Sequence, residues 1–245
     1  MLFEICVEGV DGAVAAQRGG GDRVELCASL VEGGITPSLG TVRATLGAVS
    51  VPVHAMVRPR GGDFLYSALE FASMLDDVAA LRDAGVAGVV FGCLTEAGRV
   101  DEDRTRALTQ RARPLSVTFH RAFDMTDDPA TALEALVRCG VDRVLTSGQA
   151  LTALEGLPTL RRLAAQAAGR IVVMGCGALR PDSIGVVCRE AGLSELHFSA
   201  QVRVPSTMQY RNDWLTMGGA PAEREYYQIG TDIDLVRATI AAART

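Results

Sequence analysis

Eight short apolar runs, each followed by a stretch with helical spacing, leave this chain few folds to choose from. The runs begin near Leu2, Arg23, Pro52, Gly88, Leu115, Arg143, Arg170 and Glu195. Helical patterns follow over 10–18, over 38–49, after a Ser67-x-x-Glu70 capping box, over 103–112, after Asp128-Pro129, over 157–168, after Pro181, and over 233–243. Phe71, Leu75, Val78 and Leu81 share one face of the third helix, and Leu133, Leu136 and Val137 form the buried stripe of the fifth. Alternating strands and helices build a parallel sheet with right-handed crossovers.

Eight such units in 245 residues predict a single (β/α)8 TIM-type barrel, a fold of about 250 residues. An open doubly wound sheet is the alternative. A faint internal echo fits a repeated unit: Gly21-Asp22-Arg23-Val24 returns as Gly140-Val141-Asp142-Arg143-Val144. Nothing marks a linker, so residues 1–245 read as one domain. A long loop is expected near 199–230, carrying Arg203, Met208, Tyr210, Arg211 and Trp214. A loop of that length is either a lid over the barrel mouth or part of a homo-oligomer contact.

Charge and composition remove several function classes. Twenty-four Lys and Arg against 29 Asp and Glu leave a net charge of −5, and no basic run speaks for nucleic acid. The longest uncharged apolar stretch, 84–94, is far short of the ~18 residues of a membrane span. Glu4 interrupts the first apolar segment, so no signal peptide is read there, and a cytoplasmic protein is the expectation. The six cysteines form no CxxC pair, which argues for thiols over disulfides or a structural zinc.

Strand alternation then sorts the polar residues. Glu4 and Cys6 share a face, as do Arg23, Glu25 and Cys27; His54, Met56 and Arg58; Ser116, Thr118 and His120; and Glu195, His197 and Ser199. The opposite faces are apolar and must lie under helices, so the polar faces point into the barrel. A barrel interior is normally filled by branched apolar side chains, and buried charge is costly unless paired. Glu4, Arg23 and Glu25 either close the barrel as an ion-pair network or touch a ligand. Cys6 and Cys27, late on neighbouring strands about 4.8 Å apart, are either packed hydrophobes or ligands for a soft ion such as Cu(I), with Met56 or a histidine nearby. After the third strand, Arg58, Arg60 and Asp63 either bind an anion or pin the loop. Gly175 and Gly177 after the seventh strand, and Ser199 after the eighth, stand where many barrels bind phosphate.

Ordered blocks carry a resemblance: Phe3-Glu4-Ile5-Cys6-Val7, Asp22-Arg23-Val24-Glu25-Leu26-Cys27, Glu32-Gly33-Gly34-Ile35-Thr36-Pro37-Ser38, the stretch from His54 to Tyr66, Thr118-Phe119-His120-Arg121-Ala122-Phe123-Asp124 and Leu145-Thr146-Ser147-Gly148. Together they resemble the CutC family of copper homeostasis proteins. The resemblance implies a cytoplasmic copper-binding protein, with Cys6 and Cys27 as the metal ligands. The inward charges suggest instead an enzyme acting on a small anionic or phosphorylated metabolite. In that case Glu25, His120 or Asp124 would move protons. Arg23, Arg58, Arg60, Asp63, Ser147, Gly148, Gly175, Gly177, His197 and Ser199 would form the anion-binding set.

Overall fold

The computed structural model describes residues 1–212, 214–217 and 222–244. The chain runs β1 (Leu2–Glu8), α1 (Gly9–Arg18), β2 (Arg23–Cys27), α2 (Leu39–Ala48), β3 (Val53–Met56), α3 (Ala68–Ala84), β4 (Gly88–Phe91), α4 (Glu102–Ala112), β5 (Ser116–Phe119), α5 (Pro129–Arg138), β6 (Arg143–Thr146), α6 (Leu157–Ala167), β7 (Val172–Gly175), α7 (Ile184–Glu190) and β8 (Glu195–Phe198). It continues through β9 (Gln201–Pro205) and β10 (Tyr227–Thr231) to α8 (Ile233–Ala243). Strands β1 to β8 close into a parallel barrel, sealed where β1 pairs with β8 in the register Glu4 opposite His197. The (β/α)8 expectation therefore holds, and the open sheet does not.

Helix starts follow local chemistry. Ser67 and Glu70 form a complete capping box ahead of α3. Asp101, Asp128 and Asp232 each accept a backbone N–H at the first turn of α4, α5 and α8, and Pro129 opens α5. The buried stripe of α3 is Met74, Val78 and Leu81, with Phe71 and Leu75 half-buried at its edge.

The main core lies between strands and helices. Phe3, Ile5, Val7, Val24, Leu26, Val117, Phe119 and Leu196 are fully buried there. Inside the barrel the apolar groups of the described residues form two small clusters. Cys27, Met56 and Val90 make one, and Leu145, Met174 and Cys176 the other. The rest of the interior is charged or polar.

The interval 199–230 departs from the expected loop. Its ends pair as an antiparallel hairpin, Gln201 opposite Thr231 through Pro205 opposite Tyr227. Arg203 stacks on Tyr227 and Arg211 on Tyr226, with guanidinium-to-ring distances of 4.8 and 4.5 Å. Residues 213 and 218–221 of this interval lie outside the described residues. Among the described residues no helix is long and apolar enough to cross a membrane.

Candidate functional site

The inward faces of β1, β2, β6 and β8 meet first at the barrel floor. Arg23 pairs with Glu4 through Nε and with Glu195 through Nη2 at 2.6 Å. Arg143 donates Nε to the same Glu195 at 2.5 Å. Burial alone would push the Glu4 carboxyl up, yet the hydrogen bond with His197 and the charge of Arg23 hold it well below the usual range. His54 lies 3.7 Å from Glu4 and fills the space that Gly88 leaves open on β4. Burial depresses its pKa to about 4, so it is neutral at pH 7.

One level up, His197 Nδ1 stands 2.8 Å from Glu4, and its Nε2 stands 3.8 Å from Glu25. Burial opposes its charge, but Glu25, a hydrogen bond with Cys6, and Glu4 raise its pKa well above the ordinary histidine value. The imidazolium therefore bridges two carboxylates. Burial raises Glu25, and His197 opposes that rise only in part.

The two thiols sit against this pair. Cys6 lies opposite Glu25 in the β1–β2 register, and Cys27 Sγ is 3.6 Å from Glu25 Oε2. One ligand atom from each of Cys6, Glu25 and Cys27 lies within 4.8 Å of the others. A hydrogen bond with Cys27, and then burial, push Cys6 well above the usual thiol value. Cys27 benefits from its bond with Cys6, but burial and Glu25 prevail and carry it to about 11. Glu4, Glu25 and His197 form a second close set.

Above the thiols opens a cavity of about 410 Å³ at the C-terminal end of the strands. Cys6, Glu25, Arg58, His120, His197 and Ser199 all reach its wall, as the alternation predicts, and Gly177 joins them from the loop after β7. His120 packs against Gly92, where any side chain would collide with the ring, and lies 4.9 Å from the Phe64 ring centroid. Its Nδ1 accepts the N–H of Ala122 at 3.1 Å. Burial and then Arg58 lower its pKa to about 3, so the ring is neutral.

Several expected site residues are held elsewhere. Arg58 is on the wall, but Nη1 donates to the carbonyls of Glu32 and Gly34 and Nη2 to that of Gly62, and the group covers the Phe64 ring. These terminal donors shape the loop, while Nε is buried without a partner. Arg60 and Asp63 pair with each other at 3.0 Å, and Arg60 also binds Glu70, away from the cavity. Arg23 is sealed in the floor. Asp124 accepts from Thr146 Oγ1, Ser147 N and Arg121, so it pins the loop after β6. Ser147 is buried in that network, Gly148 backs onto Gly156, and Gly175 packs against Leu193 and Leu196. None of Asp124, Ser147, Gly148 or Gly175 reaches the cavity wall.

Other residues do reach it: Arg121, Arg180, Glu32, Phe64 and Cys176. Arg143 completes the floor. Its position was readable, because β6 follows the same alternation, with Arg143 opening the strand as Arg23 opens β2.

Comparison with known proteins agrees with this architecture. Residues 1–202 match the CutC family. A family protein CutC of Mesorhizobium japonicum is 64% identical over 99% of this chain and 94% of its own length. The human copper homeostasis protein cutC homolog is 46% identical over 99% of this chain and 89% of its own. The crystal structure of a CutC protein from Streptococcus agalactiae superposes with a TM-score of 0.77 at 29% identity, covering 81% of this chain and 98% of that one. Distant barrels, such as an aldolase with TM-score 0.60 at 15% identity, share the fold alone. With a family match across most of its length and relatives aligned almost end to end, the chain belongs to the CutC family.

Proposed function

We propose that this chain is a cytoplasmic Cu(I)-binding protein of copper homeostasis, with Cys6 and Cys27 as its ligands. The observation that carries this reading is the grouping of Cys6, Glu25 and Cys27 ligand atoms within 4.8 Å. Two sulfurs that share one ion through metal–sulfur bonds of about 2.3 Å stand at most about 4.6 Å apart, so the spacing suits a two-thiolate site. Thiolates favour Cu(I) over hard cations, and the soft thioether of Met56 packs beside Cys27. All six cysteines are free, in keeping with a reducing compartment. The names of the human and mouse relatives point the same way.

Both thiols are protonated at neutral pH, so the incoming ion must displace their protons. Glu25 accepts from Cys27 and is placed to relay one of them to solvent. The test is competition for Cu(I) against a chelator under reducing conditions. Cys6→Ser and Cys27→Ser should each weaken binding at least 100-fold. Undiminished affinity in the double variant would reject the assignment.

A second reading has its own support. A cavity of about 410 Å³ is far larger than one ion needs, since a water occupies about 30 Å³. In this reading the barrel is an enzyme for a small anionic metabolite. Glu25 and His120 on the wall are its proton-moving groups, and Asp124 is too fully engaged to serve. Turnover that survives in the Cys6→Ser, Cys27→Ser variant would favour it.

A further inference from the structure

Three arginines reach the cavity wall: Arg58, Arg121 and Arg180. They differ in what already occupies them. Arg58 spends its terminal nitrogens on three backbone carbonyls. Arg121 gives Nε to Asp124 at 2.7 Å and Nη2 to Ser147 at 3.0 Å, which leaves Nη1 unengaged among the described residues. Arg180, in the loop after β7, is held through its backbone by Ser183, and its guanidinium has no partner among the described residues. Two planar donor groups thus stand at one mouth with capacity for an anion. Glu32, the carboxylate on that rim, lies against Gly61.

The deeper wall carries unfilled polar atoms. His120 accepts through Nδ1 and is neutral, so its proton sits on Nε2, which has no partner. Glu25 Oε1 is also buried without a partner. An unpartnered buried donor and acceptor are unfavourable, and a bound molecule that meets them removes that cost.

We infer that the barrel mouth binds a small molecule with an oxyanion head, a carboxylate or a phosphate monoester, held by Arg121 and Arg180, and a hydroxylated body that reaches His120 and Glu25. This deepens the enzyme reading of the cavity and rests on it, and the chamber shares Glu25 with the thiol site below. Of the loops that the sequence offered for an anion, it drops the one after β3, keeps the one after β7 and adds Arg121 from the loop after β5.

The test uses the full chain with a copper chelator present throughout and ionic strength held constant with chloride. Thermal shift and titration calorimetry are run with inorganic phosphate, malonate, glycerol 2-phosphate and uncharged ribitol, on wild type and on Arg180→Gln, Arg121→Gln, His120→Phe and Arg60→Gln. At least one oxyanion should raise the melting midpoint. Phosphate or malonate then identifies which head is preferred. Arg180→Gln and Arg121→Gln should each weaken that binding at least tenfold, and Arg60→Gln should leave it unchanged. Glycerol 2-phosphate should bind more tightly than inorganic phosphate, and His120→Phe should abolish that difference. Equal responses in wild type and Arg180→Gln, or no response to any oxyanion, would overturn the assignment. Stabilisation by ribitol alone would overturn the anionic head while leaving the cavity a small-molecule site.

Discussion

Arg23 and Arg143 converge on one carboxylate oxygen, Oε2 of Glu195, at 2.6 and 2.5 Å. They open β2 and β6, four strands apart on an eight-stranded ring, so they reach the floor from opposite sides. The echo in the sequence extends to their neighbours. Asp22 accepts the N–H of Phe3 on β1, and Asp142 accepts that of Val117 on β5, each at 2.8 Å.

Glu195 is therefore the keystone of the floor. Glu195→Gln should cost about 3–5 kcal/mol of stability, the usual loss when one partner of a buried ion pair is removed. Urea unfolding measures it. Arg143→Met should cost less in that background than in wild type, because the two residues share one interaction. Equal costs in both backgrounds would mean that the pair is not coupled.

The three histidines should titrate in opposite senses. An unfolded histidine titrates near 6.5, whereas folded His54 and His120 do so at about 4 and about 3. Between those values the unfolded chain binds protons that the folded chain refuses. Stability is then complete above pH 6.5 and falls as the pH drops toward 4, by about 1.4 kcal/mol for each unit of depression in each residue. His197 behaves the other way. Its contribution is fully present below pH 6.5 and is lost only as the pH rises through its elevated folded value. NMR of the imidazoles should find two rings neutral down to pH 5 and one, His197, that loses its proton only at a pH well above that of an ordinary histidine.

Cu(I) binding should release protons. The hydrogen bond with Cys27 and then burial keep Cys6 a thiol, burial and Glu25 keep Cys27 one, and a metal takes thiolates, so binding at neutral pH should liberate about two protons per ion. Calorimetry in buffers of different ionisation enthalpy reads the number directly. The same protonation should make both thiols slow to alkylate at pH 8 in the metal-free protein.

Gly34 offers a gentler handle on the same site. Its φ is +87°, and a side chain there would stand 2.9 Å from Cys27 Sγ. Gly34→Ala should cost more than about 1 kcal/mol through backbone strain alone. It should also weaken Cu(I) binding by displacing Cys27, whereas Gly85→Ala, at φ +89° with open space around it, should lower stability without touching affinity.

The sequence made the barrel and its inner faces legible because both follow from periodicity. Glu4, Cys6, Arg23, Glu25, His54, His120 and His197 face inward as period-two spacing requires. What it hid was how side chains are used up. Arg58 and Arg60 read as anion binders, yet their partners are backbone carbonyls and the carboxylates of Glu70 and Asp63, set by loop geometry that carries no spacing signal. Arg180 was missed for the converse reason. It follows a short loop in which Gly177 and Ala178 have φ values of 109° and 51°, and those turns bring it to the mouth. The 199–230 interval concealed its hairpin because the alternation of Val202 with Val204 and of Tyr227 with Ile229 covers only two short strands, β9 largely exposed and β10 half-buried.

The floor of paired charges turns the barrel into a blind well. Glu4, Arg23, Arg143 and Glu195 are each at most 9% exposed, so they plug the end opposite the mouth. Whatever enters must leave by the same doorway, past Phe64, Arg180 and Ser199. A cargo ion at the thiols and a molecule in the chamber above would then queue in a single file, with the upper occupant setting how fast the lower one exchanges.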